Sequence, residues 1–409
     1  MLLRSAAIAL SLIAAPLHAD DWRQFRGPNG TGTVTKDAPP LPDLEKNLLW
    51  KVDVPGSGHS SPIVVGDKIF VQAANADASK VSLVCLGAKD GKVEWTKSID
   101  SKPGKTHRLN TMASSTPCSD GERVFAAFWD GSTVSLHGYE LDGKELWSKP
   151  LGSFTSEHGM GHSPMVADGR VYFNFDQDGA AEIFAFDAKT GDELWKQTRK
   201  AHRCSYTVPI VVERGKAKEL VVGTTTTIDG YDPATGKPNW SFELPWEKNA
   251  KMLRAVGVPI EAAGRIVVYT GEGGSGRYMV ALKPGEKTAE RGWELKKGTP
   301  YVPGILAFGA ELYWVADDGI ASCAEAATGK VLWSERLLAK GVSASPILLK
   351  DTVLAIGEDG KFAAFAASPK GLDTTANGKL GEAVFATPAA ANGKLYIRGA
   401  KHLFCFGKK

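Results

Sequence analysis

The sequence predicts an all-β fold: one eight-bladed β-propeller of four-stranded antiparallel blades, closed by an N-terminal strand. Three observations predict it. A Gly-Lys-x-x-Trp element recurs along the chain. An apolar run opened by Pro recurs half a repeat away from it. The chain also ends one strand short of a complete unit, while a spare strand stands near its start. The 409 residues exceed what a single core holds, so the chain must split or repeat. Hydrophobic residues at 43% and charged residues at 23% belong to a folded globular protein, not a disordered one. With 45 Gly and 11 Trp, the composition calls for many tight turns and a recurring aromatic packing position.

The Trp element reads Asp90-Gly91-Lys92-Val93-Glu94-Trp95 in its first copy and Asp142-Gly143-Lys144-Glu145-Leu146-Trp147 in its second. Further copies run Thr190 to Trp195, Thr235 to Trp240 and Thr328 to Trp333, and a stretched copy ends at Trp293. The strand-opening prolines are Pro62, Pro117, Pro164, Pro209, Pro259, Pro303, Pro346 and Pro388, between 42 and 55 residues apart. That period is one four-stranded blade. In the third unit the strands are Pro164 to Ala167, Val171 to Phe175, Ile183 to Phe186 and Glu193 to Lys196. Asp-Gly and Thr-Gly supply the positive φ that tight hairpins need. Pro at the first residue of a strand removes no essential ladder bond.

The last unit contains Ala389-Ala390, Lys394 to Ile397 and His402 to Phe406, and then the chain stops. Asn47-Leu48-Leu49-Trp50-Lys51-Val52 reads as the missing fourth strand, Trp included. Pairing the two closes the ring and removes its open sheet edges. The domain organisation is therefore a leader over 1–19, an N-terminal extension over 20–46 and the propeller over 47–409.

Met1-Leu2-Leu3-Arg4, the apolar run Ala6 to Ala15 and the small residue Ala19 form a cleavable signal peptide. A run of ten residues is too short to span a bilayer. A periplasmic or secreted protein is expected, with no membrane span. No Cys follows the cleavage region, so no lipid anchor is expected. The 49 basic and 46 acidic residues are near balance with no basic block, which disfavours nucleic acid as partner. The five Cys are spread along the chain with no C-x-x-C, giving neither a disulfide framework nor a zinc cluster. Cys85, Cys323 and Cys405 lie in apolar strand patterns and read as small buried hydrophobes.

The repeat of strand, Asp-Gly, strand and Asp-Ala-x-Thr-Gly-x-x-x-Trp resembles the pyrroloquinoline-quinone (PQQ)-like β-propeller repeat family. That family includes quinoprotein alcohol dehydrogenases and the BamB-type outer-membrane assembly lipoproteins. The opening Asp21-Trp22-Arg23-Gln24-Phe25-Arg26-Gly27-Pro28-Asn29-Gly30 is similar to the start common among its exported members. The resemblance covers about residues 21–409 and implies the fold; the same repeat hosts enzymes and scaffolds. It implies that Trp50, Trp95, Trp147, Trp195, Trp240, Trp293 and Trp333 dock on the neighbouring blade. Trp129, Trp246 and Trp314 lie outside that register.

The segments before the strand-opening prolines carry the functional expectation. Each connects an outermost strand to the next innermost one, so all emerge on one face around the channel mouth. They hold His59, His107, Arg108, Asn110, Glu157, His158, His162, His202, Arg203, Tyr206, Arg254 and Tyr301. Convergent imidazole and guanidinium groups suit a small anionic or multiply hydroxylated ligand. Glu157, His158 and His162 are ligand types for zinc or copper. No catalytic residue can be singled out. Glu272-Gly273-Gly274-Ser275-Gly276 is Gly-rich but lacks a following Lys-Ser/Thr and a helix, so it reads as a hairpin and not a phosphate loop.

Two functions follow. One is a non-enzymatic exported propeller that presents its loops or channel mouth to a protein partner or ligand. The other is a quinoprotein-like dehydrogenase with PQQ and calcium in the channel. Against the second, the chain lacks the adjacent Cys pair typical of quinoprotein alcohol dehydrogenases, lacks Cys-x-x-Cys-His and is short for that class. Against a BamB role, it lacks a lipidation Cys. The scaffold reading is preferred.

Overall fold

The protein is described by a computed structural model covering residues 21–200, 202–245, 254–273, 276–339 and 341–409. The expected leader, Trp246 and the tip Gly274-Ser275 of the Gly-rich hairpin lie outside these residues. Strands account for nearly all regular structure; the helical content of the described residues is the single 3₁₀ turn Pro28–Gly30.

The strands form eight antiparallel blades, each in simple sequential order. The innermost strands of blades 1 to 8 are Ile63–Val65, Cys118–Ser119, Met165–Ala167, Ile210–Arg214, Ile260–Ala262, Ile305–Phe308, Ile347–Leu349 and Ala389–Ala391. The outermost are Val93–Asp100, Glu145–Ser153, Glu193–Thr198, Pro238–Glu243, Ala289–Leu295, Val331–Arg336, Thr374–Lys379 and Leu48–Asp53. The last of these closes the ring. Leu48–Asp53 pairs antiparallel with His402–Phe406, with Trp50 opposite Cys405 and Val52 opposite Leu403. This is the closure expected from the spare strand. Exposure grades outward: Lys80–Gly87 is almost wholly buried, whereas Val93–Asp100 alternates between exposed and half-buried residues.

The repeated Trp holds consecutive blades together. The indole Nε1 of Trp95 donates to Leu141 O of the next blade at 3.0 Å, and that of Trp147 to Ala188 O at 3.1 Å. Trp195 reaches Pro233 O at 3.1 Å, Trp293 reaches Ala326 O at 2.9 Å, and Trp333 reaches Ser368 O at 2.9 Å. Each acceptor lies in the turn before the next blade's outermost strand. The glycine of that turn explains the rest of the motif. A Cβ on Gly236 would lie 2.5 Å from the Trp195 ring, and one on Gly191 would lie 2.5 Å from Trp147. Both glycines also have φ of +71°. Gly is therefore required twice over, for the turn and for the indole lying on it. The Asp at the turn fixes it from the other side: Asp187 Oδ1 accepts the N–H of Lys189 and of Thr190, each at 2.9 Å.

A second set of links runs around the channel. The residue before the strand-opening Pro donates its N–H to a hydroxyl at the same place in the next blade. Thr387 donates to Ser61 Oγ at 3.0 Å, Ser61 to Thr116 Oγ1 at 3.0 Å and Thr116 to Ser163 Oγ at 2.9 Å. Ser345 donates to Thr387 Oγ1 at 3.0 Å, and in blade 6 it is Gly304, just after Pro303, that donates to Ser345 Oγ at 2.9 Å. In blades 4, 5 and 6 the position holds Val208, Val258 and Val302 instead, and there the chain's own N-terminus takes over. A Cβ on Gly30 would lie 2.6 Å from Val258 Cγ1.

Residues 21–34 are thus built into the ring rather than appended to it. Trp22 is fully buried and bridges Val64 of blade 1. Arg23 O accepts from Ser119 N–H of blade 2 at 2.8 Å. The Asn29 side chain exchanges two bonds with the Val211 backbone of blade 4. Arg26 bonds Ile305 O of blade 6, and Thr33–Val34 adds a parallel strand beside Ile347–Leu349 of blade 7. The sequence carried no periodic signal for this, because the segment belongs to no repeat.

Trp195→Ala is expected to destabilise the protein by about 3–5 kcal/mol, since it removes a buried aromatic from an inter-blade contact. Gly236→Ala, which pushes a methyl into the same indole, should also destabilise. The two losses should be strongly non-additive in urea unfolding. Additive losses would mean that the two residues do not share one contact.

Candidate functional site

In a sequential antiparallel blade, the second-to-third-strand hairpins and the connections to the next blade share one face. This loop face carries the residues expected from the sequence, and the structure sorts them into distinct environments.

Glu157, His158, Arg203 and Arg254 come from three successive connections, and Glu272 joins them from the blade 5 hairpin. Glu157 Oε2 accepts from Arg254 Nη2 at 2.8 Å and from Arg203 Nη2 at 3.0 Å. Arg203 Nη1 donates to Glu272 Oε2 at 2.6 Å, and Arg254 Nη1 lies 4.0 Å from Glu272 Oε1. The four charges alternate in a closed ring. The two guanidinium groups, Arg254 foremost, hold the Glu157 carboxyl at about 2, well below the usual carboxylate range. Arg254 Nη1 also donates to His158 Nε2 at 3.2 Å. Burial lowers the basicity of His158, and the adjacent Arg254 charge lowers it further.

His107 stacks on His158 with ring centroids 4.9 Å apart, and its backbone N–H donates to His158 O at 3.0 Å. Asn110 Nδ2 clasps the same loop through His158 O at 2.8 Å and Met160 O at 3.2 Å. The Tyr206 hydroxyl donates to Gly159 O at 3.0 Å and meets Ser156 Oγ at 3.0 Å. Tyr301 lies under the Arg277 guanidinium, 5.7 Å from its ring centroid, and its N–H donates to Asp317 Oδ2 at 2.7 Å.

The other expected residues stand apart from this network. His162 is buried among the rings of Phe154, Phe173 and Tyr206, with Nε2 3.9 Å from Cys204 Sγ. Burial pushes its imidazole down to about 4. His158 and His162 therefore face different partners, Arg254 and Cys204, and do not present a shared metal edge. Arg108 and His202 are exposed, and neither forms an ion pair among the described residues. His59 sits at the blade 8–1 seam, stacked on Phe385 at 4.3 Å with Nδ1 3.2 Å from Leu109 O.

Sequence reasoning missed Glu272, Asp317 and Arg398. The first two lie in hairpins, not in the connections where the His cluster drew attention. Arg398 ends a strand in blade 8, 2% exposed, and its contacts to blade 1 are made only by ring closure. Beneath this face, Arg199 is buried between Asp176 and Asp229, with Nη1 3.3 Å from Asp176 Oδ1 and Nη2 3.8 Å from Asp229 Oδ2. Burial raises the Asp176 carboxyl to about 7 despite that partner.

All five Cys are buried and free. Among the described residues, no group of three or more His, Cys, Asp or Glu is placed to hold a metal ion, and no helix is long and apolar enough to cross a membrane.

The family model described as outer membrane protein assembly factor BamB matches residues 29–153, 112–335 and 280–372. The outer membrane protein assembly factor BamB of Burkholderia pseudomallei (strain K96243) is 24% identical over 371 residues, 87% of this chain and 86% of its own. The crystal structure of BamB from Moraxella catarrhalis superposes with a TM-score of 0.64 at 13% identity, covering 88% of this chain and 97% of that one. A europium-containing methanol dehydrogenase superposes with a TM-score of 0.69 at 13% identity, covering 95% and 98%. At such identities the two structures show the fold alone.

Glu157 should titrate near pH 2 by carboxyl NMR, and Arg254→Ala should move it back toward the ordinary range near 4.5. An unmoved midpoint would mean that Arg254 does not hold the carboxylate.

Two opposing contributions make folding stability depend on pH. His59 and His162 are held near 4 in the fold against 6.5 when unfolded. Their contribution is complete above 6.5 and is lost as pH falls through about 4. Asp176 is held near 7 against 3.8. Its contribution is complete below 3.8 and is lost as pH rises through about 7. The two dependences oppose each other over one window, about pH 4 to 7, so urea midpoints measured across it should fall more steeply with rising pH in His162→Gln, and rise more steeply in Asp176→Asn, than in the natural protein.

Proposed function

The chain belongs to the outer membrane protein assembly factor BamB family, and we propose that it is an exported, non-catalytic scaffold. Its loop face engages a protein partner in the assembly of outer-membrane proteins. The exported state follows from the N-terminal leader, which would deliver the propeller to the periplasm.

The observation that carries this reading is the closed charge ring of Glu157, Arg254, Glu272 and Arg203. Its carboxylates are already matched by guanidinium groups, so the arc is a stiff, neutral polar platform. Catalysis would call for a free acid–base pair or an open ligand set. The same ring tests the dehydrogenase alternative. Calcium takes six to eight oxygen ligands. Here the two central carboxylates are engaged by arginines, and the cysteines are single and buried. These residues do not fit a calcium-bound quinone.

The test is made in the producing cell. Deleting the gene should lower the abundance of outer-membrane β-barrel proteins, the full chain should restore it, and Arg203→Glu/Arg254→Glu should restore it poorly while remaining folded. In parallel, purified protein mixed with PQQ and calcium should retain no quinone absorbance after desalting and oxidise no alcohol in a dye-linked assay. Retained cofactor with turnover, and an unaltered outer-membrane proteome, would transfer the protein to the dehydrogenase reading.

A further inference from the structure

Most buried guanidinium groups around the loop face sit opposite carboxylates: Arg203 and Arg254 opposite Glu157 and Glu272, Arg199 opposite Asp176 and Asp229. Arg398 does not. It ends the second strand of blade 8, its side chain is buried, and it crosses the closure seam into blade 1. There Nη1 donates to Ser60 O at 3.0 Å and to Gln72 O at 2.6 Å. Those are its only hydrogen bonds, and no carboxylate lies within ion-pair distance among the described residues. Nε and Nη2 have no protein partner, and they are open to solvent where the unpartnered Nε atoms of Arg199 and of Arg254 are sealed.

That edge borders the connection carrying His59. A Cβ on Gly58 would lie 3.1 Å from Arg398 Nη2, so the absence of a side chain there lets the guanidinium reach the Gly58-His59 backbone. The His59 ring is fixed by its stack on Phe385 and by Nδ1 facing Leu109 O. With Nδ1 donating to that carbonyl, Nε2 is the free nitrogen. A buried guanidinium with only neutral acceptors is costly unless a counter-charge meets it. Its free edge offers two parallel N–H donors, the geometry that matches the two oxygens of a carboxylate.

We propose that the Nε–Nη2 edge of Arg398, with the imidazole of His59 beside it, is a binding site for one small carboxylate ion at the seam between blades 8 and 1. The two donor groups match a monoanion; a phosphate dianion would leave oxygen atoms unmet. The proposal names the ligand chemistry for one sector of the loop face and so rests on the scaffold reading of that face. Its test uses the isolated protein, so failure here is distinguishable from failure to support outer-membrane assembly.

The experiment is calorimetric titration of the full-length protein with sodium acetate at constant ionic strength, with inorganic phosphate titrated separately. One saturable acetate site is expected, with phosphate at least tenfold weaker. Arg398→Met should weaken acetate at least tenfold, and His59→Phe should weaken it severalfold. Absence of saturable acetate binding, equal affinity in folded Arg398→Met, or phosphate binding more tightly than acetate would each overturn the proposal. Should Arg398→Met fail to fold, a crystal of the natural protein soaked in bromoacetate decides. Anomalous bromine density beside the Nε–Nη2 edge supports the site, and an ordered water alone at that edge overturns it.

Discussion

The contact on which the ring depends is the indole of one blade lying on the glycine turn of the next. It works in one direction only, from each outermost strand to the following blade, and so converts a repeated sequence into a closed circle. A planar ring needs a flat partner surface, and a turn glycine at φ +71° provides one with no Cβ in the way. At Trp95, Trp147, Trp195, Trp293 and Trp333 the indole N–H finds a turn carbonyl, so the aromatic is buried without stranding its polar atom; Trp50 lies on Gly91 with its Nε1 left without a partner. Each blade alone is a four-stranded sheet with two apolar faces, and neither can be covered except by a neighbour.

The exceptions show how strongly the geometry depends on that contact. In blade 5 the third and outermost strands run on further before their turn, to Pro284 and from Ala289, and Trp240 of blade 4 turns instead to Glu219 Oε2 of its own blade at 2.9 Å. There Arg214 of blade 4 reaches Pro284 O at 3.1 Å, and Ser241 bridges Thr288, joining the two blades by other atoms. Blade 7 has no Trp in Thr374–Lys379 at all. Across that seam the N-terminal segment contributes, with Ala38 and Leu41 packed on the core shared by blades 7, 8 and 1. The N-terminal chain thus serves the ring in two places: as the closing strand and as the segment that joins blades where the repeat is irregular.

The loop face divides by charge balance. Over blades 3 to 5 the cations and anions neutralise one another and fix the connections in place. At the closure seam a guanidinium is buried against neutral acceptors only. The first arrangement makes a rigid polar surface, suited to recognition by shape and hydrogen bonding. The second concentrates positive potential at one point.

How much of this was legible in the sequence follows the range of the interactions involved. The blades, their number, the Trp–Gly register and the closing strand were written in local, repeated patterns: a turn needs its glycine and an apolar run needs its period, whatever surrounds them. The clustering of His and Arg on one face was also legible, because identical blades oriented alike must place equivalent connections together. Which of those groups meet was not. Glu272 lies 115 residues from Glu157 in sequence, and only the curvature of the ring sets Arg203 and Arg254 between them. His162 precedes its Pro as the other expected residues do, yet it turns into an aromatic core. Residues 21–34 belong to no repeat, and Arg398 gains its neighbours only when the two ends of the chain pair. Sequence alone therefore determined the fold, because local periodicity and turn chemistry suffice for it; tertiary structure alone decided the charge pairing, because that depends on distances between residues that no repeat relates.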